Sequence, residues 1–427
     1  MAVGICSASG DEWPQWRGVN RDGVWAEKGI VRKFDKTRLD VRWRVNISNG
    51  YSGPTVADKR VYISDRVVEP QQVERVLCFD AMTGAEIWSH SYECKYKSIG
   101  YPDGPRGSVS INDNRAYFLG AVGHFYCFDA ANGDVLWKKD LRDEYKIRMP
   151  TWGIAASPVV EDNLVIVQIG GEDNACLVAF DKISGQEKWR ALDECTAYSS
   201  PIIISRGGKR VLVCWTSKRV AGLEPLSGKI LWEYPFGSEI GIATPIVQGD
   251  YLFLSSFFDG CVLIKLRKNE PGVDLVWKRK GQSEKKTDGL HCCMSTPLIQ
   301  GNYIYGVDSY GELRCLDLRT GKRIWESLEA VPKARWANIH LIKNGENTWM
   351  FNERGELIIS KLSPEGYSEI SRAALIEPTK GQLGQRGGVC WSHPAFAYKH
   401  IYIRNDKKLI CVNLAGSVEK TAHPAQP

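Results

Sequence analysis

The chain has 427 residues and a net charge of +6, with lysine and arginine spread along its length rather than gathered into one stripe, which excludes an electrostatic nucleic-acid binder. It contains no run of about 18 apolar residues, so no membrane-spanning helix is predicted. Forty-one glycines and 10% aromatic residues, with few helix-period stretches, point to an all-β chain with many turns.

Residues 1–29 read as a tail. Met1 to Ser9 are small and apolar and end in Ala8-Ser9, which suits either the remnant of a signal peptide or a plain disordered tail. A lipid-modified Cys6 fits less well, because the bulky Ile5 precedes it. Trp13-Pro14-Gln15-Trp16-Arg17-Gly18 and Asn20-Arg21-Asp22-Gly23 are rich in turn formers and are expected to pack across one face of the fold. Val41-Arg42-Trp43-Arg44-Val45 looks like the second strand of a hairpin whose first strand is missing.

From there the chain rewrites one stretch. Leu77-Cys78-Phe79-Asp80, Thr83-Gly84 and Trp88 predict a strand, a turn whose glycine tolerates positive φ, and a second strand carrying tryptophan. The pattern recurs around Trp137, Trp189, Trp232, Trp277 and Trp325, at intervals of 43 to 52 residues, a period that signals a propeller or solenoid array. Each repeat also opens with small residues and a proline, as in Ser52-Gly53-Pro54, Ser157-Pro158 and Ser392-His393-Pro394, and continues into a second strand. Arg106-Gly107-Ser108 and Trp336-Ala337-Asn338 open the second and seventh repeats. Four strands per repeat and eight repeats give an all-β, eight-bladed propeller of antiparallel blades over residues 30–417, with residues 418–427 as a flexible tail. Lys408-Leu409-Ile410-Cys411-Val412 has no tryptophan strand after it, so the Trp43 strand is expected to pair with it and close the ring, removing exposed edges.

One tryptophan per blade fits an inter-blade anchor, since burying such a ring removes about 150–250 Å² from water, worth about 4–6 kcal/mol gross. Of the 13 cysteines, Cys78, Cys127, Cys315 and Cys411 hold equivalent positions and are expected to be small buried apolar residues rather than bridge partners. Lys278-Arg279-Lys280 and Lys285-Lys286 read as a solvated loop between repeats.

Any chemistry belongs to the segments that lead into the opening strands and line the central funnel. These carry Arg106, Trp152, Tyr198, His291, Cys292, Cys293, Arg335, Trp336, Asn338, Arg386, Trp391 and His393. Such a set either holds a planar or carboxylate-bearing ligand through arginine forks and ring stacking, or fills the funnel with its own side chains. The adjacent Cα atoms of Cys292 and Cys293 lie closer than unstrained disulfides allow, which favours two free thiols. No GxSxG, HExxH, phosphate loop or GxGxxG occurs.

The Asp-x-x-Thr-Gly turn followed by tryptophan resembles the repeat of quinoprotein-type propellers, the fold of PQQ-dependent dehydrogenases. The length, with no additional domain, looks more like the BamB-type outer-membrane assembly factors and PQQ-like repeat proteins of bacterial envelopes. That resemblance implies a monomeric, non-catalytic scaffold at the periplasmic cell envelope, binding protein partners through loops or funnel. The dehydrogenase branch implies instead PQQ held with calcium, a stacking tryptophan and a vicinal disulfide, for which Trp152, Trp336, Trp391 and Cys292-Cys293 are the matching positions. Calcium wants about 6–8 oxygen ligands. The leading segments offer Asn338, with Asp103, Glu194, Glu239 and Asp288 several residues away, so no cofactor is the primary expectation.

Overall fold

The computed structural model describes residues 12–268 and 270–416. The readings made on the Met1 to Ser9 segment and on residues 418–427 lie outside them. The described strands form eight four-stranded antiparallel sheets. Blade 1 is Thr55–Ala57, Arg60–Val67, Val73–Asp80 and Glu86–Glu93. Blades 2 to 7 follow in chain order within 110–140, 159–191, 202–234, 246–279, 298–327 and 339–374. Blade 8 takes Ala395–Ala397, His400–Arg404 and Lys408–Asn413 from the C-terminal end and Val41–Asn46 from the N-terminal end. Trp43 sits opposite Cys411 in that pairing, so the ring closes as the sequence predicts.

The repeated residues explain the joints between blades. In blades 1, 2, 6 and 8 a Tyr-Cys-Trp row crosses three strands, as in Tyr62, Cys78 and Trp88. The small thiol leaves room for the two rings beside it. A one-residue register shift beside the tryptophan recurs in each blade with this pattern, and such bulges re-aim a side chain. The tryptophan therefore leaves its own blade and lies on the next one. Trp88 donates Nε1–H to the Ala130 carbonyl at 3.0 Å, Trp43 to Ala81 at 2.9 Å, Trp189 to Pro225 at 3.0 Å and Trp277 to Leu318 at 2.8 Å.

Beneath the rings of Trp43, Trp88, Trp137, Trp189 and Trp277 the turn glycine of the next blade has no alternative. Gly133 has φ of +80°, and a Cβ built there would stand 2.6 Å from the Trp88 ring. Where aspartate opens the turn, as at Asp80, Asp129, Asp181 and Asp317, it locks it. Asp181 Oδ1 accepts from the Ser184 and Ile183 amides and the Ser184 hydroxyl, and those bonds hold its carboxyl below the usual range.

Blade 7 has no outer tryptophan, and the N-terminal segment fills the gap. Trp25 packs edge-on against Trp349 at 5.1 Å and on Phe396 at 4.8 Å, while Phe34 meets Trp349 at 5.9 Å. One apolar cluster thus runs through blades 7, 8 and 1. The cysteines described are free and mostly buried, Cys292 among the buried ones and Cys293 half-buried. One surface reading needs correction: Lys278 and Arg279 end the outer strand of blade 5, Val273–Arg279, rather than lying in a loop, because that strand runs past Trp277 to pair with Val262 and Cys261.

Trp43→Ala removes a buried ring, a hydrogen bond and the anchor of the closure strand at once. We expect a loss of about 3–5 kcal/mol, as for large-to-small core changes. A thermal melt checks it, and an unchanged Tm would argue against closure through this residue.

Candidate functional site

The small-residue and proline motifs put one register position of each blade on the propeller axis. Counting back three residues from the motif proline, or its equivalent in blades 2 and 7, gives Tyr51, Arg106, Ala155, Tyr198, Ile242, Met294, Trp336 and Trp391. All eight line one central cavity of about 220 Å³. Because side chains alternate along an extended chain, the residue one step before the proline turns the same way, and these residues stitch neighbouring blades. The Ser157 hydroxyl accepts from the Ser108 amide, that of Ser200 from the Ser157 amide and that of Thr296 from the Thr244 amide.

The N-terminal segment seals the far end. Arg21 donates to the carbonyls of Ser157, Pro158 and Pro201, and Trp13 exchanges backbone bonds with Val56. Trp16 forms the floor, with its indole N–H on the Thr244 hydroxyl at 2.8 Å and its ring 5.0 Å from that of His393. The segment expected to pack across one face therefore turns the funnel into a cup. His340 lies 4.7 Å from His393 and completes the base. The wall is aromatic, with Trp152 and Tyr198 rings 4.9 Å apart and Tyr101 edge-on to Trp152 at 6.0 Å. At the rim stand Phe258, which is 46% exposed, and the Arg335 side chain, 47% exposed.

Of the residues singled out in the sequence, the structure brings Arg106, Trp152, Tyr198, Cys293, Arg335, Trp336, Trp391 and His393 to the cup. It does not bring Cys292, Asn338, Arg386 or His291. Cys292 is fully buried in the core between blades 5 and 6. Asn338 accepts from Ser295 and bonds His340 Nε2. Arg386 makes a two-pronged pair with Glu353, which also receives the Trp391 indole N–H. His291 is held by the Phe257 carbonyl and the Gly281 amide. Sequence reading missed Trp16, Tyr51, Tyr101, Phe257, Phe258, Met294 and His340. Tyr51 and Met294 carried a usable signal, the three-residue step before Pro54 and Pro297.

Apart from Arg335 at the rim, the polar groups of the cup are engaged or neutral. Arg106 gives its guanidinium to the carbonyls of Gly104, Gly100 and Tyr101 and lies 4.8 Å over the Tyr51 ring. Burial pushes the Cys293 thiol up to about 12, so no thiolate is available. Burial also holds His340 down at about 4, helped by Arg17, and His393 well below the usual imidazole range, helped by His340 and Arg17.

A calcium-held quinone does not fit this donor set. No aspartate or glutamate lines the cavity, and no group of three or more metal-capable side chains occurs among the described residues. Asp103 is tied to Asn49 and Tyr51, and the buried Glu194 is paired with Arg219 at 2.9 Å.

The comparisons with known proteins follow the fold. Residues 72–327 match the family model described as outer membrane protein assembly factor BamB. The assembly factor BamB of Moranella endobia is 22% identical over 290 residues, 64% of this chain and 66% of that relative, so the chain spans just under two thirds of its length. The crystal structure of BamB from Moraxella catarrhalis superposes with a TM-score of 0.59 at 15% identity, over 90% of this chain and 99% of that one. A quinohemoprotein alcohol dehydrogenase from Pseudomonas putida superposes with a TM-score of 0.62 at 11% identity, over 98% and 82% of the two chains. Among the described residues no helix is long and apolar enough to cross a membrane.

The two floor histidines make stability depend on pH. Their folded pKa values lie below the unfolded value of about 6.5, so the unfolded chain binds more protons as pH falls through that value. Stability is therefore full above about pH 6.5 and falls towards pH 4, by up to about 1.4 kcal/mol per pH unit for each histidine. Urea midpoints at pH 7 and pH 5 should separate less in His393→Gln than in the parent chain, and an equal separation would count against a neutral His393.

Proposed function

The chain belongs to the outer membrane protein assembly factor BamB family, and from that premise we propose that it is a non-catalytic binding scaffold of the bacterial cell envelope. It works on the periplasmic side as a monomer that presents its loops and its axial cup to protein partners and holds no cofactor. The observation that carries this reading is the chemistry of the cup. Every blade contributes to it, yet the lining has no carboxylate, its cysteine is protonated, and its histidines are sealed and neutral. A hydride-transferring quinoprotein needs a base and a charged cradle for its quinone and metal. What remains is a rigid aromatic surface suited to recognition.

The test sets the scaffold against the dehydrogenase. At about 100 µM PQQ with Ca²⁺, where micromolar affinity would saturate the site, we expect no change in quinone absorbance and no dye-coupled oxidation of alcohols or sugars. Stoichiometric uptake with turnover that disappears in Trp391→Ala would overturn the reading. In cells, crosslinking should recover the chain with an outer-membrane assembly protein, and its recovery in the cytosolic fraction alone would refute the location.

A further inference from the structure

The cup combines a neutral, enclosed aromatic interior with one cation at its mouth that is held only by a long ion pair. Arg335 makes no hydrogen bond within the described protein, and its nearest carboxylate, on Glu284, is 3.8 Å away. Its guanidinium lies 4.7 Å over the Trp336 ring and 5.7 Å over that of Phe257, two residues that themselves line the cavity. A planar guanidinium held on aromatic faces keeps its N–H fork pointed outward for a carboxylate. The other arginines of the region are not comparable, because Arg106 is committed to three carbonyls, Arg386 to Glu353, and the buried Arg17 and Arg21 to backbone carbonyls beneath the floor.

We infer that the cup binds a small planar aromatic carboxylate, with its rings against the aromatic wall of Trp152, Tyr198 and Trp336 and its single anionic group on Arg335. Three features set this class. The cavity of about 220 Å³ lies below the usual range for drug-sized ligands of about 300–1,000 Å³, so the occupant is one or two rings in size. The interior is apolar and its floor histidines are uncharged, so a second charge at the deep end would be desolvated without a partner. The one open cation stands at the rim, which fixes the orientation with the rings inward. A free aromatic acid and a polypeptide that ends in an aromatic residue share this chemistry.

This inference rests on the non-catalytic reading above, and the two fail separately. Quinone turnover would remove both, whereas a cup that binds no aromatic acid leaves the scaffold in place. The probe is 2-naphthoate, titrated calorimetrically into the full chain beside the uncharged 2-naphthylmethanol. We expect 2-naphthoate to bind with a Kd below about 100 µM and the alcohol to bind at least about fivefold more weakly, a difference of about 1 kcal/mol. Arg335→Gln should weaken the acid by the same factor and leave the alcohol unchanged. Lys280→Gln, a change at an exposed cation outside the cavity lining, should alter neither. Equal affinity for acid and alcohol, an acid affinity indifferent to Arg335→Gln, or no acid binding at about 1 mM would each overturn the proposal. A peptide Ala-Ala-Ala-Phe with a free terminus that matches 2-naphthoate, while its amide does not, identifies a chain terminus as the source. Failure of the peptide beside binding of the acid identifies a free aromatic acid.

Discussion

The ring depends on one backbone carbonyl at each of six joints. At the first three joints that carbonyl takes two donors from the blade before it. Ala81 accepts from the Trp43 indole and the Tyr402 hydroxyl, Ala130 from Trp88 and Tyr62, and Lys182 from Trp137 and Tyr117. A tryptophan or tyrosine buried without such a partner would pay for its desolvation, so the two polar tips and the carbonyl are mutually required. The geometry also fixes the angle between blades, since ring, hydroxyl and turn glycine must meet at one point. The repeated Asp, Gly, Tyr, Cys and Trp are thus parts of a single joint rather than five separate preferences.

A ring of such joints holds the inner strands at a set distance from the axis, and that distance determines what the centre can be. Small residues before each inner strand let the blades approach closely, and their hydroxyls satisfy the amides of the neighbouring blade. The next inward-facing residue, two positions earlier, then meets its counterparts from seven other blades. Closing one end with Trp16 and Arg21 turns that convergence into an enclosed site. The N-terminal segment is accordingly as much a part of the cup as any blade.

Most of the fold was legible because it is written locally and repeatedly. The tryptophan spacing, the turn chemistry and the incomplete hairpins at the two ends specify the blade number and the closure, and the structure agrees. The cup was only half legible. Closeness to an inner strand in sequence selected Cys292, Asn338 and Arg386, but side-chain direction alternates along the chain, and Asn338 falls on the position that stitches blades together. Applying the three-residue step would have yielded Tyr51 and Met294 from their prolines. Trp16, Phe257 and His340 had no such signal: the first arrives from an N-terminal strap, the second from the far end of a blade 5 strand, and the third from within the inner strand of blade 7. The commitment of Arg386 was hidden for the same reason, since Glu353 comes to it across the fold.

The same construction accounts for a likeness in fold to both an assembly factor and an alcohol dehydrogenase. The joints lie in the outer strands and the turns, while the axial residues are drawn from the segments leading into the inner strands, so the two sets vary without disturbing each other. In this chain the axial set is largely aromatic and apolar, its one arginine is spent on backbone carbonyls, and the carboxylates near it are already tied to Asn49, Tyr51 and Arg219. Turning such a centre into a metal-holding one would require several new buried carboxylates, each costly until an ion neutralised it. An aromatic lining is stable as it stands, because stacked rings need no outside partner. That difference in what each lining demands separates an aromatic centre from a metal-holding one on the same ring.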